Sequence, residues 1–420
     1  MTHSALRRAF FSRVFLCLAL LLGGFQVLVW HWWTAVALGS PGPGLLAIAG
    51  LAALLVAANG LAFPLLRRHR RSHGWRGAMA RLYQNVGVST LVVGVALAAL
   101  WLLFLVPSGL LGALGASPEA AYGAFRVASV SVVAVVVALL VWGFTGGQAG
   151  IERTRHRAPL PGLAQELAGL RVAQISDLHI GNHLDGERLS RLVERVNAEG
   201  ADAIVMTGDL FDFDPAFVED GARRLAELRA PLGVYAVLGN HDVYTGAEIV
   251  AEALARLAPG VRLLRDEIVR LPTGAPLYIA GVEDTGRGWA DRGVRQEGLD
   301  RLAAALPADG PTLLLAHRPE LFGQAAELGF PLMLAGHTHG GQLALPLAGG
   351  HWNVARFMTP LTRGFFRDGG SSLYVNRGLG VGGPALRVAC PREIALFELE
   401  GAPLAFGSLR GRSAAVRGAS

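Results

Sequence analysis

Long apolar runs alternate with polar segments in the first third of the chain. Four such runs occur at approximately Phe10–Trp30, Gly44–Leu66, Gly87–Val106 and Ala124–Phe144. Each is about 20 residues long, enough to cross a hydrocarbon core of about 30 Å. A helix buried in a soluble core is usually shorter and carries a polar face, which these runs almost entirely lack. The pattern therefore predicts a region of four transmembrane helices in residues 1–150.

Arginine residues mark alternate connections between these runs. They precede the first run, fill the segment between the second and third, and follow the fourth, whereas residues 31–43 and 107–123 contain none. By the positive-inside rule, both ends of this region and the domain that follows lie in the cytoplasm. A rival interpretation takes Arg7-Arg8-Ala9-Phe10-Phe11 as a twin-arginine export signal. The runs contain no Asp, Glu or Lys, which favours an anchor or a lipid-facing platform over an ion-coupled transporter.

Short apolar runs in the remaining residues each end in polar side chains. The runs, which are typical of buried β-strands, are Leu170–Ile175, Ala203–Met206, Gly233–Leu238, Thr312–Ala316 and Pro331–Ala335. They lead into Asp177-Leu178-His179, Gly208-Asp209-Leu210-Phe211-Asp212, Gly239-Asn240-His241-Asp242, His317 and Gly336-His337-Thr338-His339. Helix-like stretches such as Glu187–Ala198 separate the runs. The alternation predicts an α/β domain.

The boundaries of this domain follow from composition. Residues 151–168 contain Pro159, Pro161 and Gly162 and have the composition of a linker. The α/β domain is then expected over residues 169–402. Residues 403–420 are rich in Gly, Ser, Ala and Arg, which predicts a disordered tail.

The polar groups at the strand ends are suited to binding metal ions. In open α/β sheets, sites form beyond the carboxyl ends of the strands, where loops are held by a rigid scaffold. Asp, Asn and His together offer a mixed set of oxygen and nitrogen ligands. Such a set suits Mn, Fe or Zn better than Ca²⁺, which prefers oxygen alone, and better than a thiolate-rich structural zinc site.

Charge and cysteine content exclude other classes of site. Residues 1–150 contain ten arginines and one acidic residue, Glu119, so the net charge of +6 arises from the membrane-flanking segments. Residues 151–420 carry a net charge of −3. A nucleic-acid-binding protein needs a basic patch on its folded domain, so we expect no nucleic acid partner. Cys17 and Cys390 are too few and too far apart for a disulfide framework.

The ordered set of five strand-end motifs resembles the calcineurin-like metallophosphoesterase superfamily. The resemblance covers the whole predicted α/β domain and implies a four-layer α/β/β/α sandwich. Three further segments are similar to a membrane-associated bacterial branch of that superfamily: Gly336–Gln342, Asn376–Gly380 and Pro391–Ile394. That branch includes proteins similar to lipid-directed phosphodiesterases and to UDP-diacylglucosamine pyrophosphatases.

The resemblance also implies a role for each motif residue. One divalent metal ion would be bound by Asp177, His179 and His339, and a second by Asn240, His317 and His337. Asp209 would bridge the two ions. His241 would lie outside the metal shell near the leaving group, and Asp212 would accept a hydrogen bond from it and hold its tautomer.

These roles imply a membrane-bound hydrolase of phosphodiesters, pyrophosphates or phosphomonoesters. Two cations about 3.5–4 Å apart clamp the attacking and leaving oxygens and lower the pKa of a water, giving a hydroxide nucleophile. A lipid or lipid-linked phosphate is one expected substrate class. The alternatives are an enzyme for soluble nucleotides that the spans only anchor, and a membrane sensor or transporter with a regulatory phosphoesterase domain. A metal-free scaffold is a further alternative, which the complete ligand set disfavours. The oligomeric state stays open.

Overall fold

The chain folds into two units, Met1–Trp142 and Gly143–Ser420. The structure is a computed structural model, and it describes residues 3–40, 44–69, 75–113, 117–181, 183–286, 295–347 and 350–401. The two units are described separately below.

The N-terminal unit is helical throughout its described part. Its helices are α1 His3–His31, α2 Leu45–His69, α3 Trp75–Ala113 and α4 Pro118–Phe144, and a π-helical turn, Trp32–Ala37, follows α1. Each of the four contains a segment long and apolar enough to cross a membrane. The sequence prediction of a four-helix membrane region is therefore confirmed, and the observed helices extend beyond the predicted apolar runs.

A small polar network joins three helices of the N-terminal unit. The side-chain amide of Asn59 on α2 donates to Gln26 on α1 over 2.7 Å. The hydroxyl of Tyr83 on α3 donates to the side-chain oxygen of Asn59, also over 2.7 Å. Hydrogen bonds of this kind stabilise helix association where lipid provides no alternative partner. Asn59 and Gln26, which interrupt the apolar runs of α2 and α1, thus bond to each other.

Two six-stranded sheets form the centre of the C-terminal unit. The strands are β1 Ile151–Pro159, β2 Arg171–Ile175, β3 Ala203–Thr207, β4 Val234–Val237, β5 Val261–Leu263, β6 Glu267–Arg270, β7 Tyr278–Gly281, β8 Thr312–Leu315, β9 Leu332–Ala335, β10 Ala344–Leu347, β11 Gly350–Asn353, β12 Gly364–Asp368, β13 Ser371–Val375 and β14 Arg392–Glu400. The first sheet has the order β1-β14-β2-β3-β4-β5 and the second β12-β13-β9-β8-β7-β6, while β10 and β11 form a separate hairpin. All five strands expected from the sequence are present.

Helices cover the outer faces of both sheets. They are α6 Gly186–Asn197, α7 Val218–Leu225, α8 Asn240–Leu257, α9 Glu297–Ala304 and α10 Phe322–Glu327, while a short helical turn, α5 Gly146–Ala149, lies between α4 and β1 in the chain. One apolar core lies between α6–α8 and the first sheet, a second joins the inner faces of the two sheets, and a third lies between the second sheet and α9 and α10. Three cores require four layers, which confirms the expected α/β/β/α sandwich.

The expected linker at 151–168 is wrong for its first nine residues. Ile151–Pro159 forms β1, which pairs in parallel with β14 along its whole length. Thr154 donates to the buried carboxylate of Glu393 over 2.7 Å, and Nε2 of His156 lies 3.0 Å from the hydroxyl of Tyr374. These contacts make β1 an integral edge strand, so only six residues separate the end of α4 from this strand of the folded domain. The expected tail, 403–420, lies outside the described residues.

Candidate metal centre

The strand-end motifs meet at one edge of the two sheets. Strands β2, β3 and β4 run parallel in the first sheet, and β8 and β9 run parallel in the second. The loops that follow these five strands carry the seven expected metal ligands: Asp177, His179, Asp209, Asn240, His317, His337 and His339. All seven side chains are buried. The structure therefore brings together every residue that the sequence assigned to metal binding.

One group of ligating atoms comes from the loops after β2 and β9. The Nε2 atoms of His179 and His339 lie 2.9 Å apart, and Nε2 of His339 lies 3.5 Å from a carboxylate oxygen of Asp177. The three ligand atoms lie within 4.8 Å of one another. Such convergence of two imidazoles and a carboxylate is the arrangement that a divalent transition metal requires.

A second group comes from the loops after β3, β8 and β9. Nδ1 of His337 lies 3.1 Å from Nε2 of His317, which in turn lies 3.2 Å from Oδ2 of Asp209. The same oxygen of Asp209 lies 3.5 Å from Nε2 of His179 in the first group. The Asp209 carboxylate therefore lies between the two groups, where a bridging ligand is expected.

Two further observations fit a pair of cations at this position. Neither the oxygen nor the nitrogen of the buried Asn240 amide has a hydrogen-bond partner in the described part of the chain. A buried amide without a partner is costly unless it has another ligand. In addition, the Nδ1–H of His317 donates to the carbonyl oxygen of Thr207 over 2.8 Å. That bond fixes the tautomer and leaves Nε2 available as a ligand.

The electrostatics of the cluster also favour bound positive charge. Burial, with added repulsion from Asp209, raises the pKa of Asp177. Burial opposes the charge of Asp209 as well, but the surrounding histidines, above all His317, outweigh it and hold the pKa of Asp209 well below its usual range. Two buried carboxylates so close together need compensating charge, which cations would supply.

The backbone at this edge is held in a rare conformation. Five of the expected ligands have a positive φ: Asp177 at 50°, His179 at 46°, Asp209 at 51°, His337 at 74° and His339 at 51°. Residues other than glycine seldom adopt this left-handed region, and the strain is retained where the surrounding structure imposes it. Its concentration at these residues is typical of a functional site.

Asp242 holds two of the ligand-bearing loops together. Its buried carboxylate accepts hydrogen bonds from the backbone N–H groups of Leu210, Phe211 and Gly239 over 2.8–3.1 Å. Gly239 is required there because a Cβ atom at that position would overlap Asp209. The Gly-Asn-His-Asp turn thus contains one candidate ligand and one residue that fixes the loops around it.

His241 and Asp212 meet at the open side of the cluster. Oδ1 of Asp212 lies 3.1 Å from Nδ1 of His241. Both side chains are partly exposed, in contrast to the buried ligands. Phe213 and Tyr244 flank the imidazole, with ring centroids 4.3 Å and 5.8 Å from that of His241. Sequence reasoning did not identify these two aromatic residues, although each lies within three positions of a motif residue.

Arg318 is a third residue near the centre that sequence reasoning missed. It follows the expected ligand His317 directly, and its Nε atom lies 2.6 Å from the buried carboxylate of Asp284. Both residues line a cavity of about 500 Å³ that Val243 also borders. The cavity therefore opens beside residues adjacent in sequence to the candidate ligands. Its position directly after a histidine expected to bind metal is the sequence feature that could have identified Arg318.

Comparisons with known proteins agree with this geometry. Residues 170–341 match the sequence model of the calcineurin-like phosphoesterases. An uncharacterized metallophosphoesterase of Bacillus subtilis is 31% identical over 260 residues, which cover 60% of this chain and 86% of that protein. One of Campylobacter jejuni is 31% identical over 247 residues, covering 58% of this chain and 61% of the relative.

A vertebrate relative shares the membrane character of the chain. A transmembrane protein with a metallophosphoesterase domain from Danio rerio is 29% identical over 290 residues, covering 66% of this chain and 64% of that protein. The chain thus spans less than two thirds of the length of the Campylobacter and Danio relatives.

Proposed function

Because the chain belongs to the calcineurin-like phosphoesterase family, we propose that its C-terminal unit is a hydrolase of phosphoesters that uses two divalent metal ions. The observation that carries this proposal is the position of the Asp209 carboxylate, whose Oδ2 atom lies within 3.5 Å of histidines from both ligand groups. One ion would be held by Asp177, His179 and His339, and the other by Asn240, His317 and His337. The ions are expected to be Mn, Fe or Zn.

The bound cations would supply positive charge that activates a water molecule and stabilises the charge developing on the phosphoryl oxygens. Asp209 would hold the two ions in position, and the Thr207 carbonyl orients the imidazole of His317 by accepting its Nδ1–H. His241 would donate a proton from Nε2 to the leaving oxygen. Asp212 accepts the Nδ1–H bond of His241 and so keeps the proton-donating nitrogen turned towards the substrate side.

An activity screen tests this function. Purified full-length protein in detergent would be loaded with Mn²⁺ and assayed against phosphomonoesters, phosphodiesters, nucleotide pyrophosphates and lipid headgroup esters. We expect hydrolysis of at least one class, loss of activity on chelation, and recovery when the metal is returned. Activity that survives complete removal of metal would contradict the proposal.

A membrane lipid or a lipid-linked phosphate is the substrate class that we favour. The support is the covalent attachment of the folded domain, since only six residues separate the end of α4 from the start of β1. Confinement to the bilayer raises the effective concentration of a substrate that shares it, and gives little benefit for a soluble nucleotide. The net charge of −3 on residues 151–420 supports neither DNA nor RNA as a partner.

Reconstituted protein distinguishes lipid from soluble substrates. In proteoliposomes, the rate on a lipid ester should follow its mole fraction in the membrane, independently of total vesicle concentration. A soluble nucleotide that is cleaved at a higher kcat/KM than every lipid tested would favour the alternative in which the spans only anchor the enzyme.

We further propose that the catalytic unit lies in the cytoplasm, on the basis of the arginine distribution.

A further inference from the structure

The exposed apolar side chains of the C-terminal unit are concentrated in one short segment. Its described part has six strongly exposed large apolar residues, and four of them lie between positions 345 and 357: Leu345, Leu347, Val354 and Phe357. Phe357 is 74% exposed and Leu347 is 59% exposed. Single exposed apolar residues are ordinary on a protein surface, but a cluster of this kind marks an interaction site.

These residues form a continuous face on the β10–β11 hairpin. Leu345 and Leu347 lie two positions apart on β10 and therefore point to the same side. Trp352 on β11 is directly opposite Leu345 and lies on that side too. The ring of Phe357 packs edge-on against Trp352 with centroids 5.5 Å apart. This surface, formed by Leu345, Leu347, Trp352 and Phe357, is called the hairpin face below.

The segment of chain that carries the hairpin face contains positive but no negative side chains. Residues 328–367 contain no Asp or Glu, but they include Arg356, Arg363 and Arg367. Arg356 is exposed beside Phe357. An apolar face in a segment whose charged side chains are arginines is complementary to the headgroup and acyl boundary of an anionic bilayer.

The hairpin face and the start of the domain lie at the same edge of the fold as the candidate metal centre. β1 is parallel to β14, and β14 is antiparallel to β2, so the first residue of β1 lies where β2 ends. The hairpin begins five residues after His339. The chain that arrives from the fourth membrane span therefore reaches the domain at the edge that carries the catalytic residues.

We infer that the hairpin face inserts into the lipid interface and holds the catalytic edge of the domain against the bilayer. Leu345, Leu347, Trp352 and Phe357 would enter the boundary between headgroups and acyl chains, while Arg356 and Arg363 contact lipid phosphates. The occupant is the bilayer itself. This inference goes beyond the proposed function, because it does not depend on which phosphoester the centre cleaves.

Site-specific quenching tests the inference in the full-length protein. With Cys17 replaced by Ala, and Cys390 buried, Phe357→Cys would be labelled with an environment-sensitive fluorophore and reconstituted in vesicles of phosphatidylethanolamine and phosphatidylglycerol. Leu347→Cys provides a second site in case the first variant misfolds. Arg229→Cys is the matched control, since the exposed Arg229 precedes β4 and lies at the opposite edge of the first sheet.

Nitroxide-labelled lipid should quench the hairpin probe several-fold more than the probe at position 229. Aqueous iodide should quench the probe at position 229 more than the hairpin probe. Equal iodide quenching at the two sites would overturn the inference. Protection from both quenchers would also overturn it, because protein, either a second copy or residues 402–420, would then cover the face. The same pattern is expected in the inactive Asp209→Asn variant, so failure of the proposed function and failure of this inference are distinguishable.

Discussion

The carboxylate of Asp212 lies 3.1 Å from Nδ1 of His241. The same oxygen lies 3.7 Å from Nδ1 of His179, one of the expected metal ligands. A single carboxylate thus faces both a residue proposed to move a proton and a residue proposed to hold a metal ion. Substitutions of His241 and Asp212 therefore test whether proton transfer and metal binding can be affected separately.

Replacement of His241 should affect turnover without affecting metal binding. Because we propose that the imidazole donates a proton and binds neither metal ion, His241→Ala is expected to retain both ions and to lower kcat by about 10²–10⁴, the usual contribution of general acid catalysis. Metal analysis and steady-state kinetics on the same preparation check this. Loss of metal together with activity would instead make His241 a ligand.

Replacement of Asp212 should give a milder defect of the same kind. Asp212→Asn is expected to reduce kcat less than His241→Ala does, because the carboxylate orients the imidazole but does not itself donate the proton. If Asp212 acts through His241, the double variant should be no slower than His241→Ala alone. A double variant that is markedly slower, or one that loses metal, would show that the contact with His179 matters independently.

The buried Glu393 should be important for the stability of the C-terminal unit. Its carboxylate accepts hydrogen bonds from Tyr374, Thr154 and Arg377, and so connects β1, β13 and β14. Glu393→Gln leaves Arg377 without its buried partner, at a cost of about 3–5 kcal/mol. For a domain of this size, the thermal midpoint should fall by roughly 6–20 °C. The exposed Glu398→Gln on the same strand is the control and should leave the midpoint nearly unchanged.

The effect of Glu393 should also depend on pH in one direction. Burial raises the pKa of Glu393, but Arg377 and the hydrogen bonds from Tyr374 and Thr154 outweigh it and leave the pKa below its usual value. A folded-state pKa below the unfolded value contributes stability above the unfolded pKa of about 4.3 and loses it as the pH falls through the folded value. The difference between the natural chain and Glu393→Gln should therefore shrink in acid. A difference that grows as the pH falls would contradict this assignment.

The arginine distribution predicts the orientation of the chain in the membrane. A fluorescent reporter fused after residue 150 should be active, and an alkaline phosphatase reporter fused there should be inactive, because that position would be cytoplasmic. Fusions after residue 40, in an arginine-free connection, should give the opposite result. Phosphatase activity at residue 150 would refute the cytoplasmic location and revive the twin-arginine interpretation.

The strand ends could be predicted from the sequence because burial and chemistry change sharply there. Ala203–Thr207 is wholly buried, and Asp209 follows two residues later, so a short apolar run and a metal-type ligand are adjacent in the sequence. The left-handed backbone of Asp209 and His337 could not be predicted in this way. It is imposed by contacts between loops that are far apart in the chain, such as the Asp242 hydrogen bonds to residues 210 and 211.

Strand β1 was missed because its side chains are mostly polar. Ile151–Pro159 contains Glu152, three arginines and His156, which is a composition typical of a connection. Its strand conformation depends on pairing with β14, about 240 positions later, and on the buried partners of Thr154 and His156. No local pattern contains that information, whereas the membrane helices could be predicted because their apolar length is local.

Substitution of Asp209 tests the two-metal centre most directly. Full-length Asp209→Asn and the exposed control Asp368→Asn would be purified in parallel, and metal content and phosphoester hydrolysis would be measured on each. Because the Asp209 carboxylate lies between both ligand groups, Asp209→Asn should have lowered metal content and no detectable turnover, while Asp368→Asn should match the natural chain in both. Full activity of Asp209→Asn would contradict the bridging role and, with it, the proposed function.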